Sequence, residues 1–215
     1  MTQLYEKYRP RLFQDVVGQT RALKQVRAVL RRGWGGRAFW IAGDSGLGKT
    51  TLAKIIASQG ADEFFVEEFD SPAALMLADT TKRIEDSMHL YSTGKGGRAF
   101  IINEAHGLRK PEIRWLLGVL ERIPDHVVFI FTAGRKSGEF FCDTQADALP
   151  LLSRCIQIEL ANHRLLCRSF AILCKKIAKK EKLDGRPLID YITLARQCRN
   201  NCRMMLQKVE AGEML

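Results

Sequence analysis

The first 160 residues alternate between two hydrophobic patterns. Short apolar runs, typical of strands in a buried sheet, occupy residues 38–42, 64–69, 99–102 and 127–132. The other segments repeat apolar residues every three or four positions, as amphipathic helices do, over residues 20–32, 50–58, 80–91 and 112–122. Strands that alternate with helices predict an α/β fold, in which helices cover both faces of a parallel sheet.

The pattern changes after Leu160. Helical spacing continues over residues 164–180, 187–198 and 202–209, and no run between these segments is typical of a strand. We therefore predict two domains, an α/β domain over residues 1–160 and a small helical domain over residues 161–215. The segment through Arg11 is predicted to be a basic arm.

A glycine-rich motif follows the first predicted strand and opens the next predicted helix. Residues 43–50 read Gly-Asp-Ser-Gly-Leu-Gly-Lys-Thr, which is the spacing of a loop that binds nucleotide phosphates. Glycines let backbone N–H groups turn towards phosphate oxygens, and the following helix presents its positive end to them. The alternative is an ordinary glycine-rich turn, which the flanking strand and helix disfavour.

The motif assigns roles to its last residues. Lys49 is expected to reach the terminal phosphates of the nucleotide, and Thr50 is expected to ligate Mg²⁺. The residues predicted to surround the phosphates are Gly43, Asp44, Ser45, Gly46, Leu47, Gly48, Lys49, Thr50 and Thr51.

Two polar residues follow the third predicted strand. A phosphate-loop enzyme needs an acidic group at the tip of a neighbouring strand, close to the metal and the attacking water. Glu104 is placed to polarise that water, and Asn103 stands where an aspartate normally holds magnesium. Because asparagine offers an oxygen but no charge, we expect reduced metal affinity and turnover. The alternative for Glu104 is a solvated acid that caps a helix.

Charge adds an anionic partner to this picture. Lys and Arg total 34 against 24 Asp and Glu, which gives a formal net charge of +10 and favours an anionic partner. The alternative explanation for part of this excess is solubility. The apolar runs are too short to span a bilayer and the first residues lack the apolar centre of a signal peptide, so we predict a cytoplasmic location.

In that location the cysteines are expected to be reduced. They are Cys142, Cys155, Cys167, Cys174, Cys198 and Cys202.

The opening segment carries a family resemblance. Residues 4–19 read Leu-Tyr-Glu-Lys-Tyr-Arg-Pro-Arg-Leu-Phe-Gln-Asp-Val-Val-Gly-Gln, and together with the phosphate loop they resemble the AAA+ ATPases of the sliding-clamp-loader class. This resemblance, to replication factor C small subunits and the bacterial γ/τ subunit, implies a P-loop core, a helical lid, and ATP with Mg²⁺. It also implies that the adenine lies beside Tyr8, Arg9, Pro10, Val16 and Val17.

The resemblance extends to three later positions. Residues 153–155 read Ser-Arg-Cys, similar to a family motif whose arginine enters the ATP site of the adjacent subunit, which implies that role for Arg154. Arg203 is similar to the lid arginine that senses phosphate, and Thr132 to a polar sensor at a strand end. The alternatives are a surface salt bridge for Arg154 and a solvated helix residue for Arg203.

Two basic pairs stand near predicted helix starts. Lys82 and Arg83 precede one apolar stretch, and Arg109 and Lys110 precede another. Cations and free N–H groups at a helix start suit DNA phosphates without reading bases, and clamp loaders use these regions to track DNA. The alternative for each pair is a solvated charged turn.

The resemblance implies a function and its partners. We expect an ATPase subunit that opens or loads a sliding clamp at primer–template DNA, with other AAA+ subunits as partners. Clamp loaders normally continue into a helical collar, for which the sequence has no room after residue 209, so we expect either a trimmed chain or a collarless ATPase. The alternatives are a weakly hydrolysing structural subunit and a loader of another DNA machine, such as a helicase or transposase.

Overall fold

A five-stranded parallel sheet forms the centre of the protein. The computed structural model describes residues 2–77, 79–91, 94–134 and 145–215. The strands are β1 (Arg37–Ala42), β2 (Ala61–Phe69), β3 (Gly97–Ile102), β4 (Val127–Ala133) and β5 (Cys155–Glu159), in the spatial order β2-β3-β4-β1-β5. All described strand pairs are parallel, which confirms the α/β fold, and the four predicted strands correspond to β1, β2, β3 and β4.

Nine α-helices surround this sheet in the described part of the chain. They are α1 (Leu4–Lys7), α2 (Thr20–Leu30), α3 (Lys49–Ser58), α4 (Thr80–Met88), α5 (Lys110–Leu120), α6 (Gln145–Ser153), α7 (Leu166–Lys180), α8 (Leu188–Gln197) and α9 (Cys202–Glu210). Single 3₁₀ turns lie at Phe13–Asp15, Pro72–Met76 and Ala105–Gly107.

Side chains alternate between the two faces of the sheet and build a core on each. Phe39, Ile41 and Ile130 pack on the face that α2 and α3 cover, whereas Phe100 and Phe129 stack on the face that α5 covers. Every residue of β4 is buried, as expected of a central strand in a parallel sheet. Burial of each large apolar side chain contributes about 1.5–3 kcal/mol, so the sheet is the rigid part to which the loops attach.

The C-terminal helices α7, α8 and α9 pack on one another and share the first of these cores. Phe170 and Cys174 of α7 and Met205 of α9 belong to the same apolar cluster as Phe39 and Ile41 of β1. The predicted division near residue 160 therefore falls at a change in secondary structure, with apolar packing continuous across it. The assignment of two domains stays a prediction.

Three elements were absent from the sequence prediction. The basic arm contains α1, whose Leu4 is buried and whose backbone N–H donates to Glu210 of α9 at 3.4 Å. The other two are α6, interrupted by Pro150, and the edge strand β5, whose five residues are only partly apolar. Short, half-polar segments carry weak periodicity, and their neighbours come from distant parts of the chain.

Of the helices in the described ranges, none combines the length and the apolar character needed to cross a bilayer.

Candidate functional site

The glycine-rich loop connects the end of β1 to the start of α3. Gly46 and Gly48 have φ angles of +76° and +96°, a conformation that favours glycine because it lacks a Cβ. Gly48 directly precedes α3, so the first N–H groups of this helix face the loop. The loop thus has the conformation and the helix start that a phosphate-binding turn requires.

Lys49 folds its side chain back into the loop. Its Nζ donates to the carbonyl oxygens of Gly43 at 2.9 Å and Asp44 at 3.1 Å. Burial lowers the pKa of Lys49, and the nearby carboxylates of Glu104 and Asp44 oppose that shift. The ammonium group therefore lies inside the loop, held by neutral oxygens that a phosphate can replace.

Asn103 connects α3, the helix that follows the glycine-rich loop and is called the loop helix below, to the ends of the neighbouring strands. It follows β3, and its Oδ1 accepts hydrogen bonds from the hydroxyls of Thr50 at 3.1 Å and Thr132 at 2.9 Å. Its Nδ2 donates to Glu68 at the end of β2, at 2.9 Å. The structure brings together Thr50, Asn103 and Thr132, three residues that the sequence analysis selected from distant segments.

These side chains fit a magnesium ion. Thr50 and Asn103 present a hydroxyl and an amide oxygen that lie 3.1 Å apart. Mg²⁺ prefers oxygen ligands and usually keeps several waters or phosphate oxygens in its coordination shell. Neither side chain carries a charge. The donor set therefore suits a metal that arrives with an anionic nucleotide and that draws much of its binding from the phosphates.

Glu104 lies beside this cluster with an accessible carboxylate. Its φ angle is +53°, and its side chain is 59% exposed. Glu104 Oε2 lies 3.4 Å from Nδ1 of His106, and the same Nδ1 accepts the backbone N–H of Gly134 after β4. The carboxylate is therefore accessible to solvent, and its charge opposes the lowering of the Lys49 pKa by burial, which suits a group that orients water.

A cavity of about 110 Å³ lies between the loop, the N-terminal arm and the C-terminal helices. The predicted base-pocket residues Tyr8, Arg9, Pro10, Val16 and Val17 all line it. So do Arg203 and the loop residues Gly46, Leu47, Gly48 and Thr51.

Sequence reasoning missed the rest of the cavity lining. These residues are Tyr5, Phe170, Leu173, Ile177, Cys202 and Leu206. For all of them except Tyr5, which lies on α1, the signal was the apolar stripe of α7 and α9. Such a stripe by itself indicates only a buried face.

A larger cavity of about 950 Å³ lies at the β5 edge, between α2 and α7. It contains no residue of the loop over residues 43–51. Of these two cavities, the smaller one is lined by residues of the glycine-rich loop.

The arm and the helix ends hold one another around the smaller cavity. The hydroxyl of Tyr8 donates a short hydrogen bond to Glu181 after α7, and Lys7 pairs with the same carboxylate at 2.7 Å. These bonds from Lys7 and Tyr8 lower the pKa of Glu181. The guanidinium of Arg203 lies 5.3 Å from the centre of the Tyr5 ring. Arg203 thus packs against the N-terminal arm, at the edge of the cavity.

The C-terminal helices also contact the loop directly. The carbonyl of Gly46 accepts the N–H of Cys202 at 3.2 Å, at the start of α9. Asn162 Nδ2 donates to Asp44 at 2.6 Å and is itself bonded through Oδ1 to Asn200. A displacement of the loop therefore changes hydrogen bonds to the helical segment.

Arg154 lies on the surface between α6 and β5. It is hydrogen bonded to the carbonyl of Pro150 at 3.0 Å and pairs with Glu121 at the end of α5. It is not among the described residues that line the 110 Å³ cavity. Within a single chain Arg154 takes the salt-bridge arrangement, and any contact with a nucleotide would have to be made in another subunit.

Lys82 and Arg83 lie in the first turn of α4, whereas Arg109 directly precedes α5 and Lys110 begins it. All four side chains are exposed. Arg83 pairs with Glu67, and the N–H of Arg109 is bonded to Glu112 at 3.1 Å. The 3₁₀ turn Pro72–Met76 packs against both helices. The two helices that carry the pairs therefore pack on the same 3₁₀ turn, and the backbone at the N-terminus of α5 is already partly satisfied.

The described cysteines are free thiols. Four of them are buried, and burial raises the pKa of Cys155 to about 12. Cys142 lies outside the described residues. Within those residues, no cluster of three or more His, Cys, Asp or Glu side chains could hold a metal ion.

The chain is similar to known ATPases and to subunits of a DNA polymerase. The profile of the ATPase family associated with various cellular activities (AAA) matches residues 39–159. DNA polymerase III subunit tau of Escherichia coli K12 is 28% identical over 182 residues, covering 73% of this chain and 26% of that protein. The gamma/tau subunit of Mycoplasma pneumoniae is 30% identical over 177 residues, covering 71% of this chain and 24% of that protein.

Two further comparisons agree. The tau subunit of Bacillus subtilis is 26% identical over 204 residues, covering 84% of this chain and 34% of that protein. The chain thus spans about a quarter to a third of the length of these relatives. A variant of Thermotoga maritima RuvB superposes with a TM-score of 0.73 at 21% identity, covering 94% of this chain and 64% of that one, which shows a shared fold.

The close approach of loop and helix predicts the effect of adding a methyl group at position 46. A Cβ on Gly46 would lie 1.9 Å from Asn201 Oδ1, in a left-handed backbone conformation. We expect Gly46→Ala to lower the free energy of unfolding by about 1–3 kcal/mol, measured by chemical denaturation.

Gly118 is the matched control, because a Cβ there meets nothing within 4 Å in the helix α5. Gly118→Ala should raise the free energy of unfolding by about 0.5–1 kcal/mol. An equal effect of both substitutions would contradict the contact between the loop and α9.

Proposed function

Because the chain belongs to the AAA family of ATPases, we propose that it binds Mg²⁺–ATP between the glycine-rich loop, the arm and the C-terminal helices, as a subunit of a clamp-loader-type assembly. The observation that carries this proposal is the meeting of Thr50, Asn103 and Thr132 beside the loop that holds Lys49. The phosphates replace the loop carbonyls as partners of the Lys49 ammonium. The adenine occupies the cavity beside Tyr8 and Val17.

The chain's own residues divide the work of hydrolysis. Thr50 and Asn103 hold Mg²⁺, which when bound neutralises charge on the phosphates. Glu104 orients the attacking water, and its exposed carboxylate, whose charge acts on Lys49, supports that role. Thr132 senses the occupied site through Oδ1 of Asn103.

Nucleotide binding acts on neighbouring structure through the C-terminal helices. Arg203 leaves the ring of Tyr5 and turns to the phosphates, because a phosphate is a stronger partner for guanidinium than an aromatic face. The contacts from Gly46 and Asp44 transmit the change to the start of α9 and to Asn162. We assign residues 1–160 to the nucleotide-binding core and residues 161–215 to this lid.

Arg154 completes the site of a neighbouring subunit. Its side chain is on the surface, and the ion pair with Glu121 is exposed enough to be exchanged at little cost. A guanidinium donated from another chain stabilises charge on the transferred phosphoryl group, so hydrolysis depends on assembly. The further partners proposed are a sliding clamp and primer–template DNA, with Lys82, Arg83, Arg109 and Lys110 along the DNA phosphates.

Asn103 favours a second candidate, a subunit that binds ATP but barely hydrolyses it. The neutral side chain lacks the charge that an aspartate would place at the metal, and it is built into the site by three side-chain hydrogen bonds. The two candidates differ in turnover: a structural subunit hydrolyses ATP no faster than its own Glu104→Gln variant. A loader of another DNA machine is separated from both by its failure to capture a sliding clamp.

Lys49→Ala and Glu104→Gln test the nucleotide site as a matched pair. Lys49→Ala should abolish ATP binding, because the loop loses the cation that meets the terminal phosphates. Glu104→Gln should retain binding and lower turnover by about 10²-fold or more, since the water is no longer polarised. Calorimetry measures the first effect and phosphate release the second; unchanged nucleotide affinity in Lys49→Ala would refute the site.

Arg154→Ala tests the contribution to a neighbouring site. Each isolated variant chain should bind ATP as the wild type does, whereas the assembled ATPase should lose about 10³-fold in turnover. Glu121→Gln is the control, because it breaks the same surface ion pair and leaves the arginine in place. Equal losses in both variants, measured in assemblies mixed with wild-type subunits, would leave Arg154 with a structural role only.

The salt dependence of DNA affinity tests the basic pairs. For wild type, log affinity should fall steeply with log salt, because neutralised phosphates release counterions. Removing two contacts in Lys82→Ala/Lys110→Ala should make that slope shallower by about 2. Lys176→Ala/Lys179→Ala, on the exposed face of α7, removes the same charge as a control. If the first double variant leaves the salt slope unchanged, or if both double variants change it equally, the result would argue against this DNA surface.

A further inference from the structure

Asn103 sits in a hydrogen-bonding environment that allows one orientation of its amide. The side chain is buried, with 8% of its surface exposed. The two threonine hydroxyls at its Oδ1 can donate or accept, so they would tolerate either the oxygen or the nitrogen. The carboxylate of Glu68, 2.9 Å from Nδ2, can only accept. Glu68 is therefore the group that determines which end of the amide faces Thr50.

Glu68 is itself held in place from the opposite side. Its Oε2 pairs with Nζ of Lys54 at 2.7 Å, and its Oε1 faces Asn103. Lys54 lies one helical turn after Thr50 on α3, and Glu68 lies on β2, the strand beside β3. Asn103 is also bonded through its backbone N–H to the carbonyl of Phe69 at 2.9 Å. The carboxylate thus bridges the loop helix and the strand that ends at Asn103.

We propose that Glu68 is a positioning residue for the Mg²⁺–nucleotide site, which holds Asn103 with its oxygen, and not its NH₂ group, towards the metal beside Thr50. This inference rests on the proposed function. With the amide reversed, two N–H donors would face a cation and its bound waters, which need acceptors. No part of the sequence around residue 103 indicates this partner, because Glu68 lies 35 residues earlier.

The same contact supplies charge one hydrogen bond behind the amide. A carboxylate that accepts from an amide N–H polarises it and makes its oxygen a better acceptor, as second-shell carboxylates do for metal-binding groups. Glu68 therefore offsets part of the negative charge that is lost when a neutral asparagine, and not an aspartate, stands at the metal position. Its pairing with Lys54 keeps the carboxylate beside the amide.

The test compares Glu68→Leu, Glu68→Gln and the wild type in the full chain. Calorimetry measures the affinity for ADP with Mg²⁺ and with EDTA, and the ratio of the two reports the contribution of the metal. Glu68→Leu removes the acceptor, and we expect that ratio to fall by about tenfold. Glu68→Gln should keep most of it, because the glutamine carbonyl can still accept from Asn103 Nδ2.

A second readout needs no nucleotide. In ¹⁵N-labelled protein the side-chain NH₂ signal of Asn103, identified by its loss in Asn103→Asp, should show slow hydrogen exchange in wild type and Glu68→Gln and fast exchange in Glu68→Leu. Glu67→Gln is the matched control, since it removes the neighbouring carboxylate on β2, which pairs with Arg83 and Arg98 and does not contact Asn103. It should leave both readouts at the wild-type values.

If Glu68→Leu does not fold, a second pair of variants tests the proposal by exchanging the donor and the acceptor of the hydrogen bond between residues 103 and 68. Asn103→Asp alone sets two acceptors against each other, whereas Asn103→Asp with Glu68→Gln restores a donor and an acceptor. The double variant should show the larger Mg²⁺-dependent gain in ADP affinity.

The outcomes separate the two proposals. An unchanged Mg²⁺ ratio in Glu68→Leu, or no difference between Asn103→Asp and the double variant, would overturn the role of Glu68 and leave nucleotide binding intact. Failure of wild type to bind ADP or ATP under either condition would overturn the proposed function and this inference with it.

Discussion

One buried amide connects the parts of this protein on which its chemistry depends. Asn103 stands at the carboxyl end of β3 and reaches Thr50 on the loop helix, Thr132 at the end of β4 and Glu68 at the end of β2. The carboxyl ends of parallel strands meet at one edge of the sheet, so a single side chain there can contact several elements. A buried polar group is costly without partners, and here the amide oxygen has two and the amide nitrogen has one.

The loop and the C-terminal helices form the second connection. Gly46 approaches Asn201 so closely that only glycine fits, and its carbonyl caps the first N–H group of α9. The arm closes the opposite side through Tyr8 and Glu181. A ligand in the small cavity would therefore touch three segments that are far apart in the chain, which is the physical basis for coupling nucleotide state to the arrangement of the lid.

The functional groups proposed on the outer surface are less constrained by this chain than those in the cavity. Arg154 and the basic pairs at α4 and α5 are exposed. The ion pairs of Arg154 with Glu121 and of Arg83 with Glu67 lie on the surface, and surface ion pairs contribute little to folding. Their proposed roles need another molecule, either a neighbouring subunit or a DNA backbone. The groups inside the cavity, in contrast, are already oriented by this chain's own contacts.

Local sequence was sufficient for the features whose cause is local. Apolar runs predicted the first four strands, and the glycine spacing predicted the loop and its lysine, because backbone freedom and strand burial leave their mark within a few residues. Asn103 and Glu104 were found from their place after a strand. Tertiary structure alone decided the partners: Glu68 behind Asn103, Tyr5 under Arg203, Cys202 against Gly46, and the short elements α1 and β5. Their positions follow from packing between distant segments, which no local pattern of residues encodes.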